Sequence, residues 1–263
     1  MIRALYTSAT GMNAQTVNLD NTANNLANIN TTGYKKSEVS FQDLLYYNQQ
    51  TPGGAAAQGL QLPTGIQIGS GTRVSGIVKI FTPGALTNTQ NPLDVAIEGD
   101  GFFQVILPNG EIRYTRDGSF RVNAQGNLVT SDGFLVSPQI TIPPQAVSIT
   151  IGSDGTVSVQ NAGALNTATV VGQLTLVRFL NPAGLNAEGR NLFAETPASG
   201  APIITVPGQN GAGFIRQGFL ERSNVDIVSE LINLITSQRA YEFNTRAIRT
   251  ADNMLSATAE LIR

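Results

Sequence analysis

The stretch "IVSELINLITSQRAYEFNTRAIRTADNMLSATAELI" occupies residues 227–262. Steps of seven from its first residue give Ile227, Leu234, Tyr241, Ile248, Leu255 and Ile262, all of them apolar. An apolar repeat of that period marks a helix that packs along another helix. The second series, Leu231, Gln238, Thr245, Asp252 and Ala259, is mixed, while Val228, Ile232 and Ile235 widen the apolar face in the first half. Upstream, "SNVD" offers Ser223 or Asn224 as N-cap and sets Asp226 near the positive end of the helix dipole. At 1.5 Å per residue such a helix reaches roughly 55 Å, so it outgrows an ordinary domain and needs a partner along its length.

The other end of the chain supplies one. Steps of seven from Leu5 give Leu5, Met12, Leu19 and Leu26, with Ile2, Ala9, Thr16 and Ala23 as the companion series. Small companions let a second helix approach closely, and "INTTGY" predicts a stop near residues 30–33. Off this seam lie Asn18, Asn21, Asn24, Asn25 and Asn28, and between Ala4 and Gly33 the only charge is Asp20. Asparagine is a weak helix former and a poor choice for a face in water. An amide face suits a helix that is weak alone and covered by neighbouring subunits, where each amide finds a hydrogen bond. Two terminal helices packed only on their own central domain is the plainer alternative.

The middle reads as antiparallel β structure. Short alternating runs are punctuated by Asn109-Gly110, Asp117-Gly118, Asp132-Gly133 and Asp154-Gly155, which predict tight turns. "SITIGSDGTVSVQ" (residues 148–160) is the clearest hairpin, "VVGQLTLVRFLN" (170–181) predicts one further strand, and Phe102 and Phe103 predict a strand with at least one buried face. The fold class expected is α+β: helices 1–33 and 223–263 pairing in a coiled-coil-like core, an antiparallel β domain over 84–204, and linking segments 34–83 and 205–222. Residues 47–65 are small, polar and uncharged, which by composition alone means a flexible loop.

Catalytic chemistry finds little to work with. The 263 residues contain no cysteine and no histidine, which removes thiolate nucleophiles, disulfides and the commonest general base and metal ligand. Glu98 and Asp100 are a weak candidate for a glycosidase-like carboxylate pair, with Glu111, Asp117 and Asp132 nearby. Turn geometry accounts for such residues more simply. Arg239 and Tyr241 make a possible ligand patch, although Tyr241 lies on the long seam. No cofactor, metal or catalytic residue is therefore assigned. A net charge of −2 argues against nucleic acid as a partner. Charged residues are only 13% of the chain, which suits a subunit whose surface is covered in an assembly. The N-terminus lacks the apolar core of a cleaved signal peptide.

The two ends also carry a resemblance. "ANNLANINTTGYKK" (23–36) resembles the N-terminal signature of the bacterial flagellar rod and hook proteins, and "SNVDIVSELINLITSQRAYEFNTRAIRTADNML" (223–255) resembles their C-terminal signature. Within that family, "LPTGIQIGSGTR" (62–73), "GDGFFQV" (99–105), "TRDGSF" (115–120) and "NGAGFIRQGFLERSNVD" (210–226) are similar to the distal-rod branch. The proximal-rod branch is similar at both ends but less so before "LPTGIQIG". The resemblance implies a non-enzymatic subunit of a rigid helical tube, the drive shaft of the flagellum. It implies export through the flagellar type III apparatus and a place in the basal body from periplasm to outer membrane. The implied partners are further copies of the chain, proximal rod subunits, the hook protein, and the peptidoglycan-level and outer-membrane ring proteins. Leu5, Met12, Leu19 and Leu26, and Ile227, Leu234, Tyr241, Ile248, Leu255 and Ile262, become assembly seams. Asn21, Asn24, Asn25 and Asn28 become an inter-subunit amide face. Residues 47–65, with Gln49, Pro52, Gly54, Gln58 and Leu62, correspond to a stretch that stiffens the rod by bridging neighbours, which reverses the flexible-loop reading. The competing readings are a proximal-rod subunit and, far behind, a secreted glycan-active enzyme.

Overall fold

The computed structural model describes residues 2–50, 55–57, 60–61, 64–161 and 167–261. Ile262, Pro52, Gly54, Gln58 and Leu62 lie outside the described residues. The chain is α+β and divides into two compact units. One comprises Met1–Ala27, Ser37–Val78 and Asp226–Arg263, and the other Asn28–Lys36 and Lys79–Val225. The residues assigned from sequence to a linking region are thus shared between the helical unit and the β unit.

The helical unit contains helix α1 (Ile2–Ala27) and helix α2 (Ile227–Leu261), packed on each other. Helix α1 stops at Ala27, short of the expected residues 30–33. Thr31 N donates back to the Asn28 carbonyl at 3.2 Å, and Gly33 sits at φ +66°, so both lie in a turn beyond the helix. Helix α2 is capped by Asp226, not by Ser223 or Asn224. The Asp226 carboxylate accepts from Ser229 N at 3.1 Å and from Ser229 Oγ at 2.6 Å. The strand Ser37–Asp43 pairs with Thr72–Lys79. An antiparallel ribbon joins Tyr46–Gln50 to Ile66–Gly69, in the register Tyr46↔Gly69 and Tyr47↔Ile68. Ala55–Ala57 and Leu60–Gln61 form a further short pair.

The β unit is built round an antiparallel sheet of seven strands, ordered Arg121–Val122, Leu128–Val129, Leu135–Ser137, Phe103–Ile106, Ile112–Thr115, Leu192–Ala194 and Asn186–Gly189. Beside it runs a meander of Ala146–Ile151, Thr156–Asn161 and Ala168–Gln173. Asn109-Gly110, Asp132-Gly133 and Asp154-Gly155 turn hairpins as expected, each glycine at φ near +84° (84°, 85° and 82°). Asp117-Gly118 does not. Gly118 packs against backbone, where a Cβ would lie 1.7 Å from the Val95 carbonyl oxygen. The stretch "VVGQLTLVRFLN" is two strands rather than one. Ala168–Gln173 pairs with Thr156–Asn161, while Leu176–Arg178 pairs with Ile203–Thr205. Phe102 and Phe103 are buried in different apolar clusters, because successive strand side chains point to opposite faces. Phe103 packs edge-to-face on Phe120, and Phe102 on Phe81, Phe179 and Phe193.

Candidate functional site

In the helical unit, α1 and α2 run antiparallel. Asn18 Nδ2 donates to Ser237 Oγ at 2.7 Å, and Asn25 Nδ2 reaches Glu230 Oε2 at 3.4 Å. A Cβ on Gly11 would lie 2.9 Å from the Asn244 amide. Each step of seven down α1, from Asn25 to Asn18 to Gly11, meets a step of seven up α2, from Glu230 to Ser237 to Asn244. The residues at the closest contact are small or polar. Ala14, Thr22, Asn25, Glu230, Ser237 and Ala251 are buried. Small side chains bring the backbones together, and the amides of Asn18 and Asn25 donate across the contact to Ser237 and Glu230.

The apolar seams flank this contact. Leu5, Met12, Leu19 and Leu26 are half-buried, as are Leu234 and Ile248. Thr245 Oγ1 lies 3.4 Å from Met12 Sδ. Ile227, Tyr241 and Leu255 are exposed.

The asparagines divide by role. Asn25 donates to the Ser37 carbonyl at 2.9 Å while its own carbonyl accepts from Ser37 N at 3.0 Å. Asn21 donates to the same carbonyl at 2.7 Å. An amide carries its donor and its acceptor on separate atoms, so Asn25 can hold both the N–H and the carbonyl of Ser37 and, with Asn21, pin the first residue of a strand. Asn18, Asn21 and Asn25 therefore act within the chain. Asn24 is exposed on α1, and Asn28 belongs to the β unit, where it accepts from Thr31 Oγ1 at 3.1 Å.

Large apolar side chains remain on the unit's surface. Val228, Leu231, Ile232 and Ile235 are exposed on α2, and Leu45, Tyr46, Tyr47, Ile66 and Ile68 on and beside the ribbon. Gln49 is exposed within the ribbon.

Three family descriptions match along the chain: the flagella basal body rod protein over residues 5–35, the D1 domain of the flagellar hook proteins FlgE/F/G over 96–159, and the C-terminal region of the flagellar basal body rod FlgEFG proteins over 216–261. Flagellar basal-body rod protein FlgG of Caulobacter vibrioides is 48% identical over 261 residues, covering 99% of each chain. The FlgG proteins of Borreliella burgdorferi (47% over 265 residues, 100% of both chains) and Buchnera aphidicola subsp. Schizaphis graminum (46% over 261 residues, 99% of this chain and 100% of the relative) are similar. The chain belongs to the flagellar basal-body rod protein family.

The matches at the two ends of this rod-family chain fall on α1 with its following turn, and on α2. The middle match covers part of the core of the β unit. Sequence reading missed one feature of that unit, a buried charge cluster. Glu221 takes Lys35 Nζ at 2.7 Å and Arg116 Nη1 at 3.5 Å, and it accepts from Gly84 N at 2.8 Å. Lys35 also donates to the Thr82 carbonyl at 2.7 Å, and Arg116 to Gly99 at 2.8 Å. Burial holds the Lys35 ammonium below its ordinary pKa, helped by the Arg116 charge and opposed by Glu221. Asn224 ties the same region, accepting from Lys36 N at 2.7 Å and donating to Ile80 O at 2.8 Å. These residues stand inside "TTGYKK", "TRDGSF" and "FLERSN". The signal available was the charge itself: few charges in a chain of this length, six of them in those motifs, of which Lys35, Arg116 and Glu221 form the cluster. Of the carboxylate candidates, Glu98 is paired with Arg216 at 2.6 Å on the surface.

Proposed function

We propose that this chain is the structural subunit of the distal rod, which polymerises into a straight helical tube and carries torque from motor to hook. The carrying observation is similarity to FlgG proteins along the whole chain, joined to a helical unit with its large apolar residues outside. In the assembled shaft α1 and α2 form a coiled-coil-like core in which the exposed seam residues meet neighbouring subunits. The β unit faces outward, toward the peptidoglycan-level and outer-membrane rings. Proximal rod subunits and hook protein contact the two ends of the tube. The subunit leaves through the flagellar export apparatus without a cleaved signal and has no enzymatic role.

Residues 47–65 bridge neighbours and resist the sliding by which a tube bends. Deleting residues 49–61 leaves polymerisation intact, because the helices are untouched, and yields tubes of shorter persistence length by electron microscopy. Equal stiffness would make the stretch a passive loop, and absence of any polymer from the wild-type chain at high concentration would remove the rod reading itself.

A further inference from the structure

We propose that Asn224 is a positioning residue through which the β unit takes up load from the helices, because its one amide fastens together three of the four places where the chain leaves that unit. This rests on the rod-subunit reading, and it makes the stiffness of the shaft depend on a node inside each subunit.

The chain passes between its two units at residues 27/28, 36/37, 78/79 and 225/226. Asn224 stands just before the last of these passages. Its side-chain oxygen accepts at 2.7 Å from the N–H of Lys36, the residue at the second. Its Nδ2 donates at 2.8 Å to the carbonyl of Ile80, just after the third, and lies 3.2 Å from the Thr82 carbonyl and 3.0 Å from Thr82 Oγ1. Ile80 N in turn donates to the Lys36 carbonyl at 2.9 Å. Asn224, Lys36 and Ile80 thus close a ring of hydrogen bonds, and all three belong to the β unit. The segment after the first passage is tied close by, where Gly33 N donates to the Glu221 carbonyl at 2.8 Å.

Local structure does not account for this amide. Lys36 and Ile80 are 188 and 144 residues away from Asn224 in sequence, and α2 already has its cap in Asp226. An amide carries its donor and its acceptor on separate atoms, so it can hold an N–H of one segment and a carbonyl of another. The mechanical consequence follows from the backbone. A single passage turns about its φ and ψ, the soft dihedrals of the chain. Passages bonded to one another do not turn separately, since rotation of one breaks a bond of the ring. Lys36 stands in "TTGYKK" and Asn224 in "SNVD", so the ring also joins the two end motifs.

Asn224→Ala removes both halves of the amide, and Asn224→Asp removes the donor alone. Full-length chains of both variants polymerise at the wild-type critical concentration, because the helices are untouched, and electron microscopy shows a loss of persistence length in their tubes. Ile80 N–H bonds to Lys36 and not to Asn224, so it reports on the ring as a whole. In dilute Asn224→Ala chain it exchanges with solvent deuterium about tenfold faster, while the strand Phe103–Ile106 keeps its wild-type rates. Asn181→Ala, which takes a side-chain hydrogen bond from an exposed loop of the same unit, changes neither readout. Asn224→Ala tubes as stiff as wild type, an unchanged Ile80, or equal softening by Asn181→Ala overturns the proposal. Faster exchange throughout the β unit, or loss of its unfolding transition, overturns it too, since Asn224 would then hold the unit itself and not its passages. If wild-type tubes form and these tests fail, only the positioning role falls. If wild-type chain forms no tubes at high concentration, the rod reading falls and the load-bearing role with it.

Discussion

Glu221 shows why the few charges in this chain are placed where they are. Its carboxylate is the buried anion that pairs with two buried cations, Lys35 and Arg116, with the Asp100 charge adding to it from outside the cluster. Glu221→Gln keeps the shape and strands both cations, which should destabilise the β unit by about 3 kcal/mol in urea unfolding. The loss should shrink as pH rises. Lys35 already binds its proton more weakly in the folded chain than its ordinary 10.5, and losing the Glu221 charge weakens that binding further, so the variant's folded state releases the proton at lower pH than the wild type's and its stability climbs first. A deficit independent of pH would place the loss elsewhere. Tyr114 gives the opposite sign. Burial, then the charge and hydrogen bond of Glu195, push its phenol up to about 12, so stability falls as pH rises from the ordinary 10 toward that value. Absorbance titration should show one phenol ionising at about 12 that Tyr114→Phe abolishes. The same titration curve from both proteins would leave Tyr114 hydrated. Neither site was legible in sequence, because burial of a lysine or a tyrosine is decided by chain segments far apart in number.

Among the elements, α2 carries the assembly argument. Its register with α1 pairs Asn25, Asn18 and Gly11 with Glu230, Ser237 and Asn244. Continued by one step, the register brings Ala4 to the buried Ala251, and α1 begins at Ile2. The last turns of α2 therefore run past the start of α1. Leu255, 36% exposed, lies on those turns. Leu255→Asp should leave the unfolding transition of the isolated chain unchanged within about 0.5 kcal/mol, as expected of a surface substitution. The same change should abolish polymerisation, since a carboxylate in the covered seam is desolvated without a partner. Normal tubes from this variant would take Leu255 out of the subunit contact. The period of seven was readable in the sequence. Which residues of the repeat face inward was not, because hydrophobicity points to the leucines while backbone proximity selects the glycine, alanine and asparagines.

For the whole molecule, the two units differ in what holds them. The β unit has two apolar clusters, with side chains such as Val95, Phe103, Phe120, Leu174 and Leu176 at or below 1% exposure. In the helical unit only Ala14, Val39 and Ala251 are buried apolar residues among those described. Apolar burial supplies most of the stability of a fold, so the helical unit is the weaker one until subunits cover it. Limited proteolysis of dilute chain should trim α1 and α2 first and leave a fragment within residues 79–225. In polymer the helices should resist. Equal resistance of both units at low concentration would mean that α1 and α2 are stable without neighbours.

The sequence by itself determined the class, the two terminal helices, their seven-residue period and most of the hairpins, because each of these is a local pattern of side chains on a regular backbone. It also carried the family, through motifs at both ends. Only the tertiary structure decided that Asn25 clamps Ser37, that Asp226 caps α2, that Gly118 serves a close approach rather than a turn, and that residues 170–181 split between two sheets. It alone gathered Lys35, Arg116 and Glu221 into one buried cluster. Each of these depends on which distant backbone atom lies within 3 Å or so of a side chain, and no local period encodes that distance.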